Sequence, residues 1–145
     1  MSAATIPADG TALAASRYSL RVYYEDTDAG AVVYYANYLK FCERARTEWL
    51  RQMGIAQSSL LAERGLAFMV RRLNAEFIAP ARLDDALDVF TRVARVAGAS
   101  VVFAQRVERA GRPLFECEVT VACVDIARGR PVPIPADLRS LFATP

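Results

Sequence analysis

Three acids and a glycine, Glu25, Asp26, Asp28 and Gly30, stand a few residues ahead of a long helical pattern. Asp and Gly tolerate backbone angles that end a strand, so Glu25 to Gly30 reads as a sharp turn. From about Tyr35 the apolar residues recur at three- and four-residue steps, through Tyr38, Cys42, Ala45, Trp49 and Met53, with Leu39, Arg46 and Leu50 beside them. Lys40, Glu43, Arg44, Thr47, Glu48, Arg51 and Gln52 fill the other face, and Gly54 falls where a helix closes. A helix N-terminus leaves N–H groups unpaired and carries the positive end of the macrodipole. A carboxylate just before it therefore has two uses. Asp28 can be a nucleophile or general base beside a site that stabilises an oxyanion. Alternatively, Asp26 and Asp28 simply cap the turn and the helix. The local pattern leaves both open.

Composition narrows the chemistry. The sequence contains no histidine, which excludes Ser-His-Asp and Cys-His nucleophiles, His-based metal sites and His-dependent dehydration. Acid–base work must come from Asp, Glu, Tyr, Cys, Lys or helix ends. Cys42, Cys117 and Cys123 sit in apolar periodic segments without a CxxC, as expected of reduced core thiols in a cytoplasmic protein. The formal charge is only +2, and all but one of the 18 basic residues are arginines spread along the chain. Without a basic run, nothing points to nucleic acid or a membrane surface. No apolar run is long enough to span a bilayer.

The elements that must position the turn follow in order. At 145 residues, 54% of them hydrophobic, the chain is expected to form one domain over 17–145. Residues 1–16 are small, polar and interrupted by Pro7 and Gly10, and lack the basic start and apolar core of a signal peptide; they read as a flexible tail. Tyr18, Leu20 and Val22 alternate with polar partners as a first strand. After the long helix, Ser58 to Arg64 forms a short second helix ending at Gly65. Four strands follow: Leu66 to Ile78, Leu87 to Val96, Ser100 to Glu108, and Leu114 to Asp125, the last apolar enough for a central position. Hairpin turns are expected at Ala97–Ala99 and Ala110–Pro113. Arg128 to Pro135 holds three prolines and is expected to run over the surface, ahead of a short terminal helix starting at Pro135. One strand, one long helix and four strands bury their apolar surface together only if the sheet curls around the helix. That is an α+β hotdog layout, with a curved five-stranded antiparallel sheet. Its open edges predict pairing with a second copy, as a homodimer or homotetramer.

The run RVYYEDTDAGAVVYYANYLKFCERARTEWL resembles the hotdog acyl-CoA thioesterases of the 4-hydroxybenzoyl-CoA family, and among them the YbgC-type branch associated with the Tol–Pal system. Glu63-Arg64-Gly65, Asn74 to Phe77, Asp84-Asp85 and Pro135-Ala136-Asp137 extend the resemblance over residues 18–142. It implies hydrolysis of short-to-medium aliphatic or aromatic acyl-CoA thioesters. Asp28 falls on the family's catalytic carboxylate, Tyr35 on the residue whose backbone N–H polarises the thioester oxygen, and Gly30 on the turn's close approach. The YbgC-type branch usually carries His where this chain has Tyr35, whereas the 4-hydroxybenzoyl-CoA branch carries Tyr. An acyl-CoA is the implied substrate, with acyl-carrier protein as another possible carrier. Coenzyme A enters as part of the substrate, and no metal or separate cofactor is expected.

Several residues have competing assignments. Tyr35 and Tyr38 are core or interface aromatics that could also line an acyl pocket. Arg71 and Arg72 suit the phosphates of coenzyme A or a solvated strand edge. Glu43 and Glu48 precede Arg46 and Arg51 by three residues, which predicts helix ion pairs, although another hotdog branch uses a helix carboxylate as its catalyst. A non-catalytic hotdog scaffold for acyl-carrier protein or envelope partners is the alternative function, and a hydratase is disfavoured by the missing histidine.

Overall fold

A computed structural model describes residues 16–143. Residues 1–15 of the expected tail lie outside the described residues, and Ser16 already belongs to the first strand. The strands are β1 (Ser16–Arg21), β2 (Leu66–Phe77), β3 (Ala86–Val96), β4 (Ser100–Arg109), β5 (Arg112–Asp125) and β6 (Arg130–Pro131). The helices are α1 (Asn37–Gln52), α2 (Gln57–Arg64) and α3 (Ala136–Ala143). All pairings are antiparallel, in the order β1-β3-β4-β5-β2, with β6 paired to the end of β5. The hotdog reading holds, with one strand more than the five expected. Pro131 can join a sheet because it pairs at an edge, where its missing N–H is not required.

Strand alternation divides the sheet into two faces. Val101, Phe103 and Val107 of β4 and Phe115, Cys117, Val119 and Val121 of β5 point into one core with Phe41, Cys42, Ala45 and Trp49 of α1. Aromatic contacts mark both ends of this layer. Trp49 stacks on Phe142 of α3 at 5.8 Å and meets Phe103 edge-on, while Tyr38 stacks on Phe115 at 5.2 Å.

The turns follow from local chemistry. Ala110 and Gly111 both adopt positive φ, 51° and 80°, the two-residue hairpin geometry that matches strand twist. At the end of α1, Gly54 takes φ 87°. Its N–H donates to Arg51 O and that of Ile55 to Leu50 O, which satisfies the last helical carbonyls. The helix begins two residues later than the periodicity predicts, because Tyr35 and Ala36 form a turn that leads into it.

Candidate active site

The acid turn is a small hairpin lashed to the start of α1. Tyr24–Asp26 is a single 3-10 turn, closed by the Asp26 carboxylate, which accepts the Tyr23 N–H at 2.8 Å. Beyond it Thr27 pairs with Val33, and the Asp28 N–H donates to Val32 O at 2.9 Å. Ala31 carries the reversal at φ 63°. Asp26 O ties the hairpin to the helix: it accepts the Asn37 side-chain amide of α1 at 2.9 Å and the N–H of Tyr34, on the segment leading into the helix, also at 2.9 Å. Asp26 is thus the structural acid of the pair.

Asp28 is the exposed one. Its Oδ1 accepts the Gly30 N–H at 2.8 Å, and it joins no ion pair among the described residues. A Cβ added at Gly30 would stand 3.1 Å from that oxygen, so glycine leaves the carboxylate its room.

The first turn of α1 is left open. Ala36 occupies the N-cap without any side-chain cap. Asn37, Tyr38 and Leu39 donate back to Tyr34, Tyr35 and Ala36. Among the described residues the Tyr35 and Ala36 N–H groups have no protein acceptor. The structure therefore brings Asp28, Gly30 and the Tyr35 backbone into one hairpin–helix unit, with donors at the positive end of a 16-residue helix. The Tyr35 ring is exposed and meets Phe77 of β2 edge-on at 6.0 Å.

A cavity of about 550 Å³ lies between α1 and the inner face of β2 and β5. Cys42, Leu50, Phe68, Val70, Leu73, Phe103 and Val119 form much of its apolar wall, and Lys40, Glu43 and Arg46 bring charge to it. Asp28, Tyr35 and Tyr38 are not among its lining residues. The connection is the inner face of β2, whose register places Val70, Leu73, Ala75 and Phe77 on the same side as Val121, Val119, Cys117 and Phe115. That stripe runs from the cavity wall to the Tyr35 ring.

The remaining candidates separate. Tyr38 is 3% exposed, and its hydroxyl oxygen accepts the Ala81 N–H at 2.9 Å. Burial raises its pKa, so the phenol is neutral and able to accept. Arg71 and Arg72 lie exposed on β2, Arg71 at the bulge between Val70 and Arg72. Glu48 pairs with Arg51 as expected. Glu43 does not pair with Arg46. Arg46 turns inward and donates to Gln105 Oε1 at 2.9 Å, because Gln105 is a buried amide on the inner face of β4 that must be satisfied. Gln105 also donates to Cys42 O and Thr91 Oγ1. This node was missed in the sequence, although a polar residue alternating with Phe103 and Val107 is a readable signal.

All three thiols are free and buried. Contact with the Cys117 thiol, followed by burial, raises Cys42 well above its ordinary pKa, and burial raises Cys123. The described residues contain no cluster of three or more His, Cys, Asp or Glu able to hold a metal, and no helix long and apolar enough to cross a membrane.

Comparison with known proteins identifies the family and the fold. The family described as "Thioesterase-like superfamily" matches residues 22–142. The acyl-CoA thioesterase YbgC of Haemophilus influenzae is 48% identical over 125 residues, covering 86% of this chain and 92% of that protein. A probable thioesterase from Bartonella henselae superposes with a TM-score of 0.80 at 34% identity, over 84% of this chain and 100% of that one. The 4-hydroxybenzoyl-CoA thioesterase of Pseudomonas sp. strain CBS-3 shares the fold, with a TM-score of 0.82 at 23% identity, over 88% and 99% of the two chains.

Proposed function

Because the chain belongs to the thioesterase-like superfamily and is an acyl-CoA thioesterase, we propose that Asp28 carries the hydrolysis and that the open first turn of α1 holds the thioester oxygen. The observation that carries this reading is an exposed carboxylate, without a cation partner among the described residues, in a hairpin anchored to a helix start whose Tyr35 and Ala36 N–H groups have no protein acceptor among them. Asp28 attacks the acyl carbon, or draws a proton from the water that does. The carbonyl oxygen gains charge next to the Tyr35 N–H. Coenzyme A leaves through sulfur as a thiol, and water supplies the oxygen of the free acid. A thiolate is a good leaving group, so an Asp ionised at neutral pH meets the demand. One preorganised oxyanion donor is typically worth about 3 kcal/mol. Nothing in these steps calls for a metal or redox cofactor.

We place the acyl group along the β2 stripe and into the cavity, which accepts short-to-medium aliphatic or aromatic chains. Arg71 and Arg72 are then available to the coenzyme A phosphates, and acyl-carrier protein is a second possible carrier. The exposed edge strand β2 and the residue after it, with Met69, Val70, Phe77 and Ile78 about half uncovered, support a homodimer or homotetramer, and the protein is read as cytoplasmic.

Thiol release from a panel of acyl-CoAs, comparing the wild type with Asp28→Asn, tests the assignment. The substitution keeps size and removes charge. A loss of more than about a hundredfold with an unchanged melting curve supports Asp28, since removal of a reacting group costs at least this much. Equal activity would move the role to Glu43, the cavity-rim carboxylate that Arg46 leaves unpaired, to be tested as Glu43→Gln. No activity on any thioester would favour a binding scaffold.

A further inference from the structure

The catalytic hairpin is held on its second strand by the segment between β2 and β3, and one side chain of α1 reaches that segment from inside. The Val33 N–H donates to Ala81 O at 2.9 Å, and Val32 bridges to Arg82. Ala81 is fully buried, and its own N–H donates to the Tyr38 hydroxyl at 2.9 Å. Phe115 stacks on the Tyr38 ring, and Phe77 and Phe41 meet it edge-on. The phenol is therefore fixed in direction as well as place. A series of three hydrogen bonds, each 2.9 Å, leads from Tyr38 through Ala81 and Val33, and back across the hairpin from Val32 O to the Asp28 N–H.

A second latch holds the same segment from the far end of β4. Arg109 donates to Asp85 Oδ2 at 2.7 Å and to Pro80 O at 3.3 Å, and the Arg82 N–H donates to the same carboxylate oxygen at 2.8 Å. The segment is thus braced at Pro80, Ala81 and Arg82, directly behind the strand that returns from the Asp28 turn.

We propose that Tyr38 is a positioning residue for Asp28, acting through the Ala81 peptide, with Asp85 and Arg109 as its second latch. The proposal rests on the reading of Asp28 given above. Tyr38 sits on the same helix whose N-terminus faces the substrate. One rigid element thereby sets the reacting carboxylate on one side and the oxyanion donors on the other, so the two keep register without direct contact. Small errors in such register are costly, since a displacement of about 1 Å can lower a rate about a hundredfold.

The test is Tyr38→Phe, which keeps the ring stack and removes only the acceptor of the Ala81 N–H. Ile55→Val, remote from the turn, controls for a general loss of stability. Tyr38→Phe is expected to lower kcat about tenfold while KM for an acyl-CoA stays within about twofold, because the loss falls on the transition state rather than on binding. Amide exchange at Val33 should accelerate in the same variant and not in Ile55→Val. Adding Tyr38→Phe to Asp28→Asn should cost nothing further, as two changes acting through one group are not additive. An unchanged kcat, an unchanged Val33 exchange rate, or an equal loss in both backgrounds would overturn the proposal. The failure of the two readings is distinguishable. Full activity in Asp28→Asn removes the Asp28 assignment and this proposal with it, whereas an inactive Asp28→Asn beside a fully active Tyr38→Phe overturns this proposal alone.

Discussion

The two ends of α1 are built on opposite principles. At its C-terminal end, Gly54 and Ile55 return to the Arg51 and Leu50 carbonyls, and Trp49 lies 3% exposed between Phe103 and Phe142. The Trp49, Leu50 and Arg51 carbonyls there have partners, and the aromatic rings pack on one another. At its N-terminal end no side chain caps the helix, Tyr34 and Tyr35 stand exposed, and the neighbouring hairpin is held by hydrogen bonds, with Val33 its one residue buried in the core. Aromatic packing is concentrated where the helix closes, and the proposed chemistry lies where it is left open. On the proposed reading of the site, an oxyanion donor must remain unsatisfied until substrate arrives, so a reacting helix end is one that cannot be capped.

This contrast can be broken by substitution. Trp49→Ala should have the largest effect, a loss of about 3–5 kcal/mol in unfolding free energy, because it empties the aromatic layer. Its kcat at a temperature where the variant remains folded should stay near that of the wild type. A large fall in kcat with native stability would show that the two ends are coupled after all. Gly30→Ala should do the reverse, lowering kcat about tenfold with little change in denaturant midpoint, since the new methyl crowds Oδ1 of Asp28. Gly54→Ala comes next, costing about 1 kcal/mol through strain at φ 87°. Its acyl-CoA kinetics should be unaltered, and a changed KM would tie the closed end to substrate binding.

The same contrast explains what could be read from the chain. The closed end was legible because it is local: periodicity gives Trp49 its face, and Gly54 ends the helix within the same few residues. The hairpin at Ala110 and Gly111 and the bounds of β2 to β5 were legible for the same reason. The open end was legible only in part. The Asp28–Gly30 turn and the helix start follow from residue types, but the brace behind them joins residues 43 positions apart, Tyr38 and Ala81. No spacing rule reaches that far. Arg46 makes the same point on a smaller scale. Its three-residue separation from Glu43 fits a surface ion pair as well as an inward turn, and only the buried amide of Gln105 decides between them. The strand β6 was hidden behind its own proline, which argues against a strand everywhere except at an edge.

The smallest expected effect concerns pH and lies between the two regions, at the latch of Asp85 and Arg109. Burial works to raise the Asp85 carboxyl, but the Arg82 N–H and the Arg109 guanidinium outweigh it and hold the group below its ordinary 3.8. A carboxyl depressed in the folded state contributes stability that is fully present above its unfolded value and is lost as the pH falls through the folded one. The window is therefore acidic, below 3.8. Half-exposed pairs of this kind contribute at most about 1 kcal/mol. Arg109→Gln should thus be slightly less stable than the wild type in urea near neutral pH, and the gap should close as the solution is acidified through that window. A gap that persisted in acid would mean that the guanidinium acts mainly through Pro80 O, its second contact. The latch would then be a backbone clamp, independent of charge.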